Sequence, residues 1–203
     1  MKKILVFIGV GVLALGIALA AVFAIPAMSG SAVIAERGVR NQRLAEIPEI
    51  VMNPEQNEKI GTLYMPKFDV EVPLIYGYNA EYMDQYFDEV GLEAWNNFPG
   101  QNNKLYINGH RHLAFQNLKN IEIGDTIILK MPYGEFTYEV YKEPQVVLAN
   151  DSEAVKFYTE DHDTEFKPQI LRLQTCYPFE AGSTLDHRYL VDLKLVESKY
   201  VYQ

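Results

Sequence analysis

The stretch Ile170-Leu171-Arg172-Leu173-Gln174-Thr175-Cys176-Tyr177-Pro178 decides how this chain is read. Apolar and alternating residues run up to the single cysteine of the chain, and a proline stands two positions beyond it. Proline has no backbone N–H to give a ladder, so a strand over these residues should stop here. Cys176 is then expected at a strand end, facing a loop, where a rigid scaffold presents its functional groups. A cysteine kept for packing is usually buried and would more often sit mid-strand.

Working outward, a second apolar run, Leu105-Tyr106-Ile107-Asn108-Gly109, leads directly into His110. Gly109 lets the backbone turn or lets another group approach closely. A third run, Tyr189-Leu190-Val191, begins just after Arg188. If the strands holding Cys176 and Arg188 are antiparallel neighbours, the two residues lie at one end of the sheet, with residues 177–187 arching over it. Elsewhere GTLYMP and VEVPLIYG from residue 61 to 77 read as short strands parted by turn residues. DTIILKM and EFTYEVYKEPQVVL flank Pro132-Tyr133-Gly134, a hairpin signal. Residues 78–90 read as a short helix with Asn79 as N-cap, and the stretch after Asn150-Asp151-Ser152 as a short helix or loop. Pro73 and Pro144 belong at strand edges or bulges. Many short strands with few helical stretches predict an all-β barrel or sandwich, and no internal repeat is evident.

The three residues at predicted strand ends suit acyl transfer. A free thiol has a pKa of about 8.5, so little is thiolate at neutral pH. An imidazole can take its proton and later protonate a leaving amine. A guanidinium, always charged and carrying five donors, can stabilise the negative charge that grows on the carbonyl oxygen. Cys176, His110 and Arg188 form such a set with no metal and no cofactor. Each residue alone has a plainer reading: a packing thiol, a hydrogen-bonded structural histidine, half of a surface ion pair. Thr175 and Tyr177, beside the cysteine, are candidates for orienting the site and shaping a substrate pocket, with strand propensity and packing as equal explanations. His112 would share a face with His110 on a strand and with Cys176 suggests zinc, but an acidic fourth ligand is not obvious. His187 should point away from Arg188. His162 lies in an acidic stretch whose spacing matches no calcium loop.

Composition sets the outer bounds. The 203 residues suit one moderate domain plus accessories. A net charge of -9 leaves no basic stripe for phosphates, which argues against a nucleic-acid partner. One cysteine permits no internal disulfide. Met1-Lys2-Lys3 precedes an uncharged apolar run over residues 4–28, long enough at 1.5 Å per residue to cross a hydrocarbon core of roughly 30 Å. It exceeds the usual apolar core of a cleaved signal peptide, so it is expected to persist as a transmembrane signal-anchor. Lys2 and Lys3 place the N-terminus in the cytoplasm. Residues 29–59 read as an extracytoplasmic stalk, flexible at Ser29-Gly30-Ser31 and broken at Pro48 and Pro54. Residues 60–203 are the catalytic domain.

The sequence resembles the sortase family over roughly residues 60–196. LRLQTCYP resembles that family's cysteine strand, INGHR its histidine segment, HRYLV its arginine strand, and FQNLKNIEIGDTIIL the segment after the histidine. The resemblance implies a closed eight-stranded β-barrel with short helices, preceded by one transmembrane helix. It implies a cysteine transpeptidase that cleaves an LPxTG-like cell-wall sorting signal through a thioacyl intermediate on Cys176. The acyl group then passes to an amine of a peptidoglycan precursor or a pilin lysine, with His110 as acid/base and Arg188 holding substrate or oxyanion. The enzyme would face outward on the membrane of a Gram-positive-type envelope. TCYPF looks most like class D. No Asp-Pro-aromatic lid motif stands in the stalk and no second apolar span follows Val196, which argues against the pilin-polymerising class. The alternatives are a surface thiol protease without transfer, an anchored non-catalytic β-barrel binding module, and a zinc-binding surface protein.

Overall fold

The structure is a computed structural model that describes residues 52–95, 97–151, 166–180, 182 and 185–201. The expected anchor and most of the stalk, like the stretch after Asp151, lie outside the described residues. Among the described residues no helix is long and apolar enough to cross a membrane.

Among the described residues nine strands are formed: β1 (Lys59–Met65), β2 (Val70–Tyr76), β3 (Val90–Leu92), β4 (Lys104–Gly109), β5 (Thr126–Met131), β6 (Gly134–Val140), β7 (Gln145–Leu148), β8 (Ile170–Tyr177) and β9 (His187–Tyr200). They pair in the order β6-β5-β1-β2-β3-β4-β8-β9-β7, and a further β6–β9 pairing closes the first eight into a barrel. The short β7 follows β6 along the same edge of β9, pairing with its first residues. Two pairings are parallel, β2 with β3 and β4 with β8; the others are antiparallel. Closure leaves those eight strands with few exposed edges, the usual hazard of an antiparallel sheet.

Alternation along the strands sets inside from outside. Leu105 and Ile107 on β4, Leu171 and Leu173 on β8, and Val191 and Leu193 on β9 all fill the barrel core. Their neighbours Tyr106, Asn108, Arg172, Gln174 and Asp192 therefore stand on the outer face. Burying an aliphatic or aromatic side chain of the core contributes about 1.5–3 kcal/mol each, so a one-residue slip of β8 would be heavily penalised. The β5–β6 hairpin has Pro132 and Tyr133 as its two loop residues, with Met131 opposite Gly134. A Cβ on Gly134 would lie 2.5 Å from the Lys199 carbonyl oxygen, so only glycine lets β9 close against β6. Pro73 pairs with Thr62 of β1, and β3 joins the other side of β2 only from Leu74 onward. The proline thus sits where its missing N–H breaks no ladder.

Two expectations are corrected. The helix expected over residues 78–90 is only α1 (Ala80–Met83), capped as expected by Asn79, whose Oδ1 accepts from the Tyr82 N–H at 2.9 Å. Residues 84–88 are exposed and offer no apolar face to sustain further turns. The His-Arg-His string is not on a strand: β4 ends at Gly109 and the next residues turn away.

Candidate active site

Strand register brings together two of the residues singled out at strand ends. Cys176 of β8 lies directly opposite Arg188 of β9. Opposed residues of an antiparallel pair share a face, with Cβ atoms about 4.5–5.5 Å apart. On the other side of β8, the parallel register sets Asn108 beside Gln174, and His110 follows directly on the last residue of β4, Gly109. Thr175 pins the two strands here. Its side chain is buried on the inner face, and its hydroxyl donates to the Gly109 carbonyl at 2.8 Å. A Cβ on Gly109 would meet the Phe115 ring at 2.7 Å and the Val90 side chain at 2.9 Å. Glycine here serves close packing beneath the histidine turn. Thr175 therefore orients the two strands, and its hydroxyl is spent within the barrel.

Cys176 is half-buried and borders a cavity of about 330 Å³ together with Arg188, Met83, Glu93, Asn108 and Gln174. The Arg188 guanidinium is steadied by Nη1, which donates to the carbonyls of Leu185 at 2.8 Å and His187 at 3.0 Å. The His110 ring lies 4.4 Å from the Phe87 ring, and its Nε2 is 2.9 Å from the Met83 carbonyl oxygen. A carbonyl only accepts, so Nε2 carries the hydrogen, and in the neutral ring Nδ1 is left as the basic nitrogen. α1 is itself anchored: the Tyr82 hydroxyl donates to Glu89 at 2.8 Å. Burial, then that bond to an anion, pushes the Tyr82 phenol up to about 12.

Tyr177 goes elsewhere. It faces away from Cys176, as the next residue on a strand must, and its ring packs against Phe179 and Tyr189. His187 likewise alternates away from Arg188. Arg111 is a residue that sequence reading missed. It is buried; its Nη1 donates to the Pro178 carbonyl and its Nε to His112 Nε2 at 3.2 Å. It ties the turn after His110 to the loop after Cys176. That bond also occupies the lone pair with which His112 Nε2 would bind zinc, and among the described residues no three His, Cys, Asp or Glu side chains converge as a metal site.

Also unforeseen is the polar floor of the cavity. The Tyr106 hydroxyl donates to Gln174 Oε1. Gln174 Nε2 donates to Asn108 Oδ1 at 3.0 Å, and Asn108 Nδ2 donates to Glu93 Oε1 at 2.7 Å. Behind it, on the same outer face of β8 and β9, the buried Arg172 makes a two-pronged bond to Asp192 at 2.6 and 2.9 Å.

This barrel, with cysteine, histidine and arginine at one rim, was compared with known proteins. The family model described as "Sortase domain" matches residues 63–196. The chain belongs to the sortase family. A curated relative, "Sortase D" of Bacillus subtilis (strain 168), is 32% identical over 138 residues, covering 68% of this chain and 64% of the relative. The chain thus spans slightly less than two thirds of that sortase. Among solved structures, the SrtA sortase from Actinomyces oris superposes with a TM-score of 0.63 at 22% identity, covering 76% of this chain and 89% of its own. The SrtF sortase from Corynebacterium diphtheriae gives a TM-score of 0.64 at 17% identity, covering 76% and 93%. Both share the sortase fold with this chain.

Proposed function

We propose that this sortase is a cysteine transpeptidase acting on a cell-wall sorting signal of the LPxTG-like kind. The observation that carries the reading is the register pairing of Cys176 with Arg188, with His110 immediately past the end of the adjoining strand β4. In the first half-reaction the Cys176 sulfur attacks the scissile carbonyl carbon and its proton passes to His110. Nδ1 is the acceptor, because Nε2–H is held by Met83. The Arg188 guanidinium donates to the carbonyl oxygen as it gains charge, a gain that is largest in the transition state. The C–N bond breaks, His110 returns the proton to the departing amine, and a thioester remains on Cys176. In the second half-reaction an incoming amine attacks that thioester, gives up a proton to His110, and releases the thiol as a new amide forms. The relative's name favours class D. Residues 1–28 would anchor the enzyme and residues 29–59 space it from the membrane, on the outer side of a Gram-positive-type envelope. Surface proteins bearing the signal and a peptidoglycan precursor, or a pilin amine, would meet there.

The direct test incubates the domain with a panel of sorting-signal peptides, with and without amine acceptors, and weighs the protein by mass spectrometry. An acyl adduct on Cys176, converted to amide product when amine is added, is expected. An adduct that yields only acid whatever amine is supplied would point to the thiol-protease reading instead.

Arg188→Lys tests the geometric part of the reading. Lysine keeps the charge but loses the planar fork. We expect kcat/KM for peptide cleavage to fall about 10²-fold, as for the loss of one oxyanion donor, while the rate of Cys176 alkylation by a small reagent changes little. A loss below about threefold would remove Arg188 from the oxyanion's surroundings.

A further inference from the structure

Residues 82–89, between β2 and β3, fold into a clasp on the side chain of His110. The Tyr82 carbonyl accepts from the N–H groups of Gln85 at 3.1 Å and Tyr86 at 3.2 Å, which turns the chain back after α1. The Tyr82 hydroxyl donates to Glu89 at 2.8 Å, and the Tyr86 ring stands 4.5 Å from the Tyr82 ring. The segment thereby closes on itself, and its tip returns to the histidine turn. There the Phe87 carbonyl accepts from the N–H of the buried Ala114 at 3.2 Å. The Phe87 ring lies 4.4 Å from the His110 ring, with 38° between their planes. The start of the same segment supplies the Met83 carbonyl oxygen, 2.9 Å from His110 Nε2. One short connection thus touches the imidazole at two separate points.

Packing does not account for Phe87. Its side chain is 42% exposed and absent from the core cluster. A single exposed apolar residue is ordinary; what sets this one apart is that it lies on the imidazole the mechanism uses. The His110 backbone is already fixed, because its carbonyl accepts from the Phe115 N–H at 2.9 Å. The two side-chain torsions remain to be settled. Three staggered χ1 wells and a two-fold χ2 give an imidazole roughly six orientations. The one observed meets the Met83 carbonyl with Nε2, and the Phe87 ring fills space beside it that the others need. The carbonyl settles where the hydrogen sits, and the phenyl ring settles the rotamer.

Resting on the transpeptidase reading above, we propose that Phe87, Tyr82 and Glu89 are positioning residues for the base. Phe87 holds the His110 ring in one rotamer, and the Tyr82–Glu89 bond keeps Phe87 and the Met83 carbonyl on that ring together. Nδ1 then stays the nitrogen that takes the thiol proton, and the ring is ordered before substrate arrives rather than at its expense. None of the three side chains touches a reacting atom.

The test uses the full chain, isotope-labelled in histidine only. It reads the ring nitrogens of His110 by NMR and the single-turnover rate of thioacyl formation on Cys176. Among the four histidines, His110 is assigned by the signals that vanish in His110→Asn. At about pH 9, where an ordinary imidazole of pKa about 6.5 is neutral, wild type should show one ordered ring with its hydrogen on Nε2. Phe87→Ala should lower the acylation rate about sixfold, the number of orientations released, and leave peptide KM nearly unchanged. Phe87→Tyr, which keeps the ring, should restore the rate. Tyr82→Phe, which removes only the hydroxyl, should let both tautomers of His110 appear and slow acylation as well. Phe87 is exposed, so its variants should melt within a few degrees of wild type. A His110 ring that already exchanges tautomers in wild type overturns the proposal without any variant. So do wild-type acylation rates in both Phe87→Ala and Tyr82→Phe, or a loss of rate that Phe87→Tyr does not restore. Absence of any thioacyl adduct with wild-type enzyme would overturn the transpeptidase reading first, and this role with it.

Discussion

Cys176→Ala is expected to lower turnover of any sorting-signal peptide by at least about 10⁴-fold, to the rate of the peptide alone. Removing the nucleophile of a covalent mechanism removes the pathway, and what survives is the weak assistance of positioning and oxyanion stabilisation. The fold should hardly notice. Cys176 is half-buried at the next-to-last position of β8 and is absent from the core cluster. Alanine keeps the strand, and only a small contact is lost, so the thermal midpoint should stay within a few degrees. The two measurements together separate the readings of this cysteine. An anchored binding module with a packing thiol predicts unchanged peptide binding and no catalytic loss. A large loss of stability with intact turnover would make the sulfur structural and take the nucleophile role from it.

How much of this site was readable before any coordinates depends on which forces are local. The end of β8 was legible because Pro178 acts through its own missing N–H, and the end of β4 because the apolar run stops at Gly109. Those two stops, with the start of β9 at His187, bring Cys176, His110 and Arg188 to one rim once the strands pair. The closed barrel itself came through resemblance; alternation alone left barrel and sandwich equal. What was illegible is carried by contacts between residues far apart in the chain. Asn108 and Gln174 are 66 residues apart, and each alone reads as a polar residue on a strand face. Their bond exists only because β4 and β8 run parallel in one register. Arg111 carries no signal of its own in the sequence, and the carbonyl that its guanidinium meets lies 67 residues away. The helix after Asn79 was read as too long because capping is local, whereas the apolar face needed to extend it is not.

The largest stability effect should come from the ion pair behind the cavity floor. Arg172 and Asp192 are opposite partners on β8 and β9, both buried, and Lys142 reaches the same carboxylate at 2.5 Å from the barrel exterior. Asp192→Ala takes the carboxylate away from the Arg172 guanidinium in a place water reaches poorly, which costs about 3–5 kcal/mol. With a urea slope of about 2 kcal/mol per molar, the unfolding midpoint should drop by about 2 M. The paired replacement Arg172→Met with Asp192→Leu removes both desolvation costs and should come close to wild-type stability. The pH dependence follows from the same geometry. Burial pushes the Asp192 carboxyl up, but the hydrogen bond and charge of Arg172, then those of Lys142, more than offset it and hold the group below the usual carboxylate range. A group whose folded value is depressed stabilises fully above its unfolded pKa, about 3.9 for Asp. That contribution disappears as pH falls through the lower, folded value. Wild type should therefore lose stability faster than the Met/Leu variant below about pH 4, and the two should run parallel between pH 5 and 8. If Asp192→Ala cost under about 1 kcal/mol, Arg172 would have to find water on its own, and the floor beneath Gln174 and Cys176 would be far looser than its burial implies.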